Sequence, residues 1–366
     1  MKFNINRDVL IGPLQQIVSV IEKRQTILIL SNVLINIDNN RIVLTGTDLE
    51  LQLIVILETE NRESGTLTIP ARKLFDICRS LPPQAEIKIE QEEDKIKISS
   101  GRSRFLLSSL PPEIYPPFVQ TEFKNTFFIS SAKLKESFEK TIFCMANQDV
   151  RFYLVGMSLH ISNQKFKIVT SDGHRLAIFE DTLDHPSGFE AKIVLPRKGV
   201  VELSRLLDNL SSEVKVEFSE NNIRFSFHNL IFSAKLLDAK YPDYKKIFSK
   251  PFLNSIFIKK NSLKEALSRV AILTNEKVKG ITFEFSENSL KFNAHNPEHE
   301  EAEDEISIEY LGKTFSIAFN VQYVLDAILN VDSDMVKLNI TEDYSTCFIE
   351  EPNAAIYTFV VMSMLL

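Results

Sequence analysis

Two strings in this chain of 366 residues hold side chains that could do chemistry. The first is His295-Asn296-Pro297-Glu298-His299, which has the H-x-x-E-H spacing of one class of zinc peptidase. On a helix that spacing aims two imidazoles at one metal and sets a carboxylate beside them as base. The chemistry needs the helix, and Pro297 sits inside the required turn, where it removes a backbone donor and clashes with the turn before it. The competing reading is a solvated acidic turn that continues into Glu300, Glu301, Glu303 and Asp304. The second string is TSDGHRLA, residues 170–177. Asp172 and His174 could act as an acid–base pair, but no nucleophile is fixed beside them. The matching place earlier in the chain, TGTDLELQL from Thr45, has neither His nor Arg. A turn at Asp172-Gly173 that presents polar groups beside a pocket, or a plain hairpin turn, remain as readings.

Other chemistries are excluded by what is missing. The 10 glycines include none at G-x-G-x-x-G or G-x-x-x-x-G-K spacing, so no phosphate-cradling loop is present, and no G-x-S-x-G elbow occurs. Cys78, Cys144 and Cys347 are far apart and odd in number, which reads as reduced, buried thiols. A chain that is 44% hydrophobic and 25% charged is expected to be soluble and globular. No apolar run approaches the roughly 18 residues of a membrane span. Met1-Lys2-Phe3 leads straight into strand-like alternation, which reads as no signal peptide. The net charge of −7 argues against gripping nucleic acid by bulk positive charge, while leaving room for a local basic surface.

The elements that must position these strings are spelled three times. IPARKLFDICRSL (69–81), LPRKGVVELSRLL (195–207) and FNVQYVLDAILNV (319–331) are one unit repeated. The copies lie roughly 125 residues apart, the size of a small domain rather than of a solenoid repeat. Each turns from strand to helix. Leu74, Ile77, Cys78 and Leu81 recur at helical spacing, as do Val200, Leu203, Leu206, Leu207 and Leu210, and Val321, Val324, Leu325 and Ile328. Pro70 and Pro196 suit a first helical position. An opening unit, a short strand and then an amphipathic helix, recurs over 2–21, 127–145 and 256–273, with Ser131 and Asn261 as N-caps. Paired strands follow each opening helix, and three more close each third. Residues 119–126 and 249–254 read as linkers. The expected architecture is α+β: domains 1–122, 127–250 and 253–366, each with two helices and about eight antiparallel strands. Five of the six helices are expected to carry Lys or Arg on the side away from their apolar stripe. The sixth, residues 321–330, does not.

The strings TSDGHRLA, IPARKLFDICR and LPRKGVVEL, together with the terminal YTFVVMSMLL, resemble the bacterial β sliding clamp family, the processivity subunit of DNA polymerase III, over the whole chain. The resemblance implies a head-to-tail homodimeric ring of six similar domains, with sheets outside and helices lining a hole for duplex DNA. It implies an ATP-driven clamp-loader complex as partner. It also implies that the polymerase III catalytic subunit, the loader and other clamp-binding-motif proteins dock short peptides on each chain. No catalysis, metal, cofactor or membrane is implied, and the location would be cytoplasmic.

Carried over residue by residue, the peptide pocket would comprise Leu154 with Ser171, Gly173, His174, Arg175 and Leu176. Pro242, Lys246, Ile247 and Val278 would join it, with Asn320, Tyr323, Tyr344 and Thr346. The chain end would complete it with Val360, Val361, Met362, Ser363 and Met364. Ser363 stands where the family has Pro, Leu365 where it often has Arg, and Val278 where Phe is common. DNA-facing candidates are Arg24, Arg72, Arg79, Gln148, Phe152, Tyr153, Arg197 and Lys198. The ring joint would use Phe105, Leu107, Ile272 and Leu273, with Lys73, Arg102 and Arg104 facing Glu300, Glu301 and Asp304. A metal-dependent hydrolase at His295, Glu298 and His299, or an interaction scaffold that holds no DNA, are the alternatives.

Overall fold

In this computed structural model each third of the chain follows one order of elements, β-α-β-β-β-β-α-β-β-β. The first third runs β1 (Lys2–Asn6), α1 (Arg7–Val20), β2 (Asn32–Asp38), β3 (Arg41–Thr47), β4 (Leu51–Glu58), β5 (Gly65–Pro70), α2 (Ala71–Ser80), β6 (Glu86–Glu92), β7 (Lys95–Ser100) and β8 (Ser103–Ser108). The second runs β9 (Asn125–Ser130), α3 (Ser131–Glu139), β10 (Gly156–Ser162), β11 (Lys165–Ser171), β12 (Arg175–Thr182), β13 (Glu190–Pro196), α4 (Arg197–Leu206), β14 (Glu213–Phe218), β15 (Asn222–Phe227) and β16 (Leu230–Lys235). The third runs β17 (Ile256–Lys259), α5 (Lys260–Val270), β18 (Gly280–Ser286), β19 (Ser289–His295), β20 (Glu301–Ser307), β21 (Phe315–Asn320), α6 (Val321–Leu329), β22 (Met335–Ile340), β23 (Thr346–Glu350) and β24 (Tyr357–Met362). The structure describes residues 1–22, 26–38, 40–59, 63–118, 122–207, 212–253, 255–353 and 356–365. Two helices and eight strands per domain follow, as the repeat in the sequence predicts.

The strands form four antiparallel sheets. Two have four strands, β1-β6-β7-β8 and β20-β19-β18-β21. Two have eight, β5-β2-β3-β4-β16-β15-β14-β9 and β13-β10-β11-β12-β24-β23-β22-β17. Each eight-stranded sheet joins a quartet of one domain to a quartet of the next, through β4 beside β16 (Leu53 opposite Phe232) and β12 beside β24 (Leu176 opposite Val360). By compactness the chain divides into one unit of Met1–Lys135, Asp184–Ser187 and Lys198–Leu237, and a second of Glu136–Leu183, Gly188–Arg197 and Asp238–Leu366.

Local chemistry explains the elements. Asn6 caps α1 by accepting the N–H of Asp8 at 2.8 Å. Leu10, Leu14, Ile17 and Val20 then form its buried stripe. The helix lies so close to β3 that a Cβ on Gly46 would stand 2.8 Å from the Ile17 side chain, so only glycine fits there. In the second unit, α5 buries Leu263, Ala266, Leu267 and Val270. Each of these Leu, Ile and Val side chains, fully withdrawn from water, contributes about 1.5–3 kcal/mol before the cost of ordering the chain.

Several local expectations are corrected. Pro70 and Pro196 end strands rather than starting helices; Pro70 is the N-cap of α2 and pairs with Asn32 in the sheet. The cap of α3 falls on Ser130, whose hydroxyl accepts the N–H of Lys133, and that of α5 on Lys259, one and two residues before Ser131 and Asn261. The second opening helix stops at Glu139, and Ile142–Cys144 continues as a 3-10 turn, because Thr141 turns its hydroxyl back onto the carbonyl of Ser137. Leu210 lies outside the described residues, and α4 ends at Leu206. The segment 249–254 is no loose linker: Phe252 bridges to Thr341 and sets its ring edge-on to Phe348 at 4.9 Å, and Leu253 donates to Ile340.

Candidate functional site

The residues expected to bind a partner peptide converge within the second unit. Leu176 on β12 and Val360 on β24 stand opposite each other. They share a buried cluster with Val169, Ile178 and Phe348, against which Tyr241, Tyr244 and Ile247 pack. Ile247 comes from the 3-10 turn Lys245–Ser249, with Lys246 beside it and Pro242 just before. Met362 is 44% exposed at the end of β24, opposite Thr346 on β23. Beyond it the chain is tied down. Ser363 donates to Ser345 and Met364 to Ala318, each at 2.9 Å, so the end bridges from β23 to β21. Tyr344, in the β22–β23 turn, is 40% exposed and lies 5.2 Å from Phe315 on β21. Leu154 is buried, in a 3-10 turn Phe152–Val155.

The TSDGHRLA turn supplies the polar wall. Asp172 accepts the backbone N–H of His174 at 2.9 Å and of Arg175 at 3.0 Å, and Ser171 accepts that of Gly173 at 3.0 Å. This is an Asx turn, the reason for an Asp at that place. Gly173 has φ +92, which favours glycine; a Cβ there would also meet the tip of the Arg151 side chain at 2.9 Å. Arg175 reaches in two directions, to Asp172 at 3.0 Å and to Asp326 on α6 at 2.6 Å, with its guanidinium 4.4 Å over the Tyr323 ring. His174 stacks on the same tyrosine, centroids 6.5 Å apart. Asn320 caps α6 by accepting from Gln322 and Tyr323, and donates to the carbonyl of Val278, itself 43% exposed. Asp172 is thus fully engaged in shaping the turn, which removes the acid–base reading. What remains is an apolar floor beside a stacked, charged wall.

Sequence reasoning missed Asp326, Tyr244 and Phe348. Tyr244 is two residues from the expected Pro242 and Lys246, but Asp326 lies 151 positions from Arg175 and no local signal joins the two.

The DNA-facing candidates do not behave alike. Arg72 donates to the carbonyl of Ile21, the C-cap of α1, at 2.9 Å. Arg197 donates to the carbonyl of Met145 at 2.8 Å, at the end of the 3-10 turn after α3. Both satisfy carbonyls at helix ends, so their charge is partly spent on the fold. Lys198 bonds to Glu22 and Asp48; burial lowers its pKa, and those two hydrogen bonds more than reverse the effect. By contrast Phe152 is 57% exposed, Gln148 is exposed, and Arg79 is exposed, with Asp76 beside it at 3.1 Å and its guanidinium 5.7 Å over the Phe75 ring. Tyr153 is half-buried, edge-on to Tyr241. Asp149 is drawn down to about 2 by its hydrogen bonds to Arg151, which fixes the loop that carries Gln148 and Phe152. Arg24 lies outside the described residues. The expectation of cations on five helices fails at α1, whose only cation, Arg7, is bound to Asp8 and to the carbonyl of Cys78.

Of the joint candidates, Ile272 is 77% exposed and Leu273 half-buried, in the 3-10 turn Ala271–Leu273 that follows α5. Phe105 and Leu107 are half-buried on β8, and Leu106 between them, which the sequence did not single out, is 55% exposed. Lys73, Arg102, Arg104 and Glu301 are exposed. Asp304 is already bound to Arg269 at 2.6 Å, and Glu300 accepts from Asn296 at 2.6 Å. His295, Glu298 and His299 are not on a helix. They close the β19–β20 hairpin, where Asn296 accepts the N–H groups of Glu298 and Glu300, so the spacing that would aim two imidazoles at one metal is absent. Among the described residues no three His, Cys, Asp or Glu side chains form a metal-holding group. Nor is any described helix long and apolar enough to cross a membrane.

Three family models match in series: the N-terminal, central and C-terminal domains of the DNA polymerase III beta subunit, over residues 1–119, 128–243 and 245–365. The chain is 40% identical to the beta sliding clamp of Pseudomonas aeruginosa over 366 residues and 39% identical to that of Escherichia coli over 365, covering each fully. A crystal structure of the DnaN sliding clamp from Pseudomonas aeruginosa bound to griselimycin superposes with a TM-score of 0.96 at 40% identity over 100% of both chains.

Proposed function

The chain belongs to the DNA polymerase III beta-subunit family, the beta sliding clamps, non-catalytic processivity factors, and from that premise we propose how this clamp is built and used. Two copies join head to tail into a ring around duplex DNA. The observation that carries this reading is a repeated junction. The fourth strand of domain one pairs with the last of domain two, β4 with β16, and the fourth of domain two pairs with the last of domain three, β12 with β24. Continuing the series, β20 would pair with β8 of a second copy, and both are edge strands within one chain. Exposed sheet edges invite such pairing, and two heterologous joints close a ring when the rotation permits. Phe105, Leu107, Ile272 and Leu273 would line the joint, with Lys73, Arg102 and Arg104 facing Glu300 and Glu301.

The ring would hold DNA by topology, which suits a chain of net charge −7: few phosphate contacts are needed and little counterion release is expected. Arg79, Gln148, Phe152 and Tyr153 would touch the duplex. An ATP-driven loader would open the ring in the cytoplasm. The polymerase catalytic subunit, the loader and other partners would dock a peptide carrying Gln, then Leu and Phe. The Leu and Phe anchors would meet Leu176, Pro242, Val360 and Met362, and the Gln would meet the polar end near Asn320 and Ser363.

The test is retention. A loader-assembled ring should survive a salt wash on closed circular DNA and be lost once the circle is cut. Equal loss from cut and closed circles would sink the reading.

A further inference from the structure

The sheet face that floors the peptide pocket does not stop at the pocket. Along β12, residues 176, 178 and 180 point one way. Leu176 faces Val360, Ile178 stands between Val169 and Thr358, and Glu180 stands opposite Lys167 and donates its N–H to Ile356. Ile178 belongs to the same buried cluster as Leu176 and Val360, and Tyr244 packs on that cluster from above. Here the surface opens into a groove of about 610 Å³, floored by Ile178, Thr358, Ile356, Tyr244 and Phe248. Phe248 is 39% exposed and sits edge-on to Phe348 at 5.2 Å, and Ile356 is 43% exposed. Apolar surface of this kind, open beside a binding pocket, marks contact with another chain.

The rim is basic. Lys165, Lys167 and Lys245 line the groove, against Glu180 and Asp181. Lys165 and Lys167 both pair with Glu180, and Lys245 is exposed. Lys192 on β13, three strands from Glu180, continues this edge beside Glu190. In a chain of net charge −7 the groove lining carries three lysines against two carboxylates, with Lys245 the exposed cation at its rim, and this favours an anionic occupant there.

We propose that this groove is an extension of the peptide pocket, taking the residues that follow the Leu–Phe anchors of a docked partner peptide and preferring an apolar side chain followed by carboxylates. The inference rests on the pocket assigned above. The direction follows from the order along the chain end: Ser363 and Met364 lie at the polar end of the pocket, Met362 and Val360 at the anchors, Thr358 and Ile356 in the groove. An extended peptide advances about 7 Å per two residues, so a short extension past the anchors runs over Ile178 and Thr358, the lining that also holds Lys245.

The experiment uses the full-length protein, calorimetry and three peptides: Gln-Leu-Ser-Leu-Phe alone, the same peptide extended by Gly-Val-Glu-Glu, and the same extended by Gly-Val-Lys-Lys. The acidic extension should bind at least fivefold tighter than the core peptide, the lysine extension no tighter than the core, and the acidic gain should shrink with added salt. Lys245→Glu should cancel the gain and leave the core peptide within twofold. If the core binds and the two extensions do not differ, or if Lys245→Glu leaves the gain intact, the extension is overturned while the pocket stands. If no peptide binds, pocket and extension fall together.

Discussion

Arg175 donates to Asp326 at 2.6 Å, tying the turn between β11 and β12 to α6. The guanidinium is largely buried. Burial pulls its pKa down, and the nearby Cys144 sulfur together with its carboxylate partners, Asp326 and Asp172, more than reverses that. Replacing Asp326 by Ala removes one of two partners and leaves a poorly hydrated cation. The expected cost is about 1–3 kcal/mol of stability, read by chemical denaturation, with a loss of peptide affinity as the wall loosens. An affinity equal to wild type would show that the pair serves the fold alone.

Truncation gives a second prediction. Removing residues 363–366 deletes the bonds from Ser363 to Ser345 and from Met364 to Ala318, and β24 then ends in an untied strand. Peptide binding in the micromolar range, on the order of −7 to −8 kcal/mol, should be lost, while sedimentation still reports a dimer. Unchanged affinity in calorimetry would misplace the pocket.

The joint gives a third. Changing Ile272 and Leu273 together to Ala removes the apolar end of the turn after α5, where Ile272 is 77% exposed in the single chain. If both are buried in the joint, the loss is about 2–5 kcal/mol, and the variant should sediment as a folded monomer. A dimer that persists at low concentration would place the joint elsewhere.

A fourth concerns pH. His160 sits between Lys167 on β11 and Lys192 on β13, beneath Tyr244 and near Lys245, and bonds Ser158 at 2.9 Å. Burial first, then those three lysines, pull its pKa from 6.5 to about 4. Between those values the unfolded chain binds a proton that the folded chain does not. Stability should therefore fall as pH drops through that window and level off below it. His160→Gln should lose less of its melting temperature over the same interval. Parallel curves for the two proteins would contradict the assignment.

The DNA-facing set should divide in the same way as its geometry. Arg72→Ala breaks the bond to Ile21 and should lower the melting temperature, with about 1 kcal/mol lost for an unmade hydrogen bond to a helix end. Phe152→Ala should leave melting unchanged and shorten the lifetime of rings on closed circles. The reverse pattern would exchange their roles.

The repeat, the α+β class and the strand and helix count were legible in the sequence because they rest on periodicity. Leu74, Ile77 and Cys78, or Val33 to Ile37, announce their own burial through spacing alone. Asp172 and Gly173 announced their turn because an Asx turn and a positive φ need those residue types locally. What the sequence could not yield is where quartets of strands from different domains meet. That β12 lies beside β24, and that Asp326 waits for Arg175, depends on contacts between residues more than 150 positions apart. No local pattern encodes such a contact, since any apolar edge strand could accept any other. The same holds for Arg72 and Arg197: their sequence reads as free cations on helices, and only packing decides that the end of a preceding helix offers carbonyls within 3 Å. Tertiary structure chose which charges face outward, because an unsatisfied helix end competes for the same guanidinium that a phosphate would take.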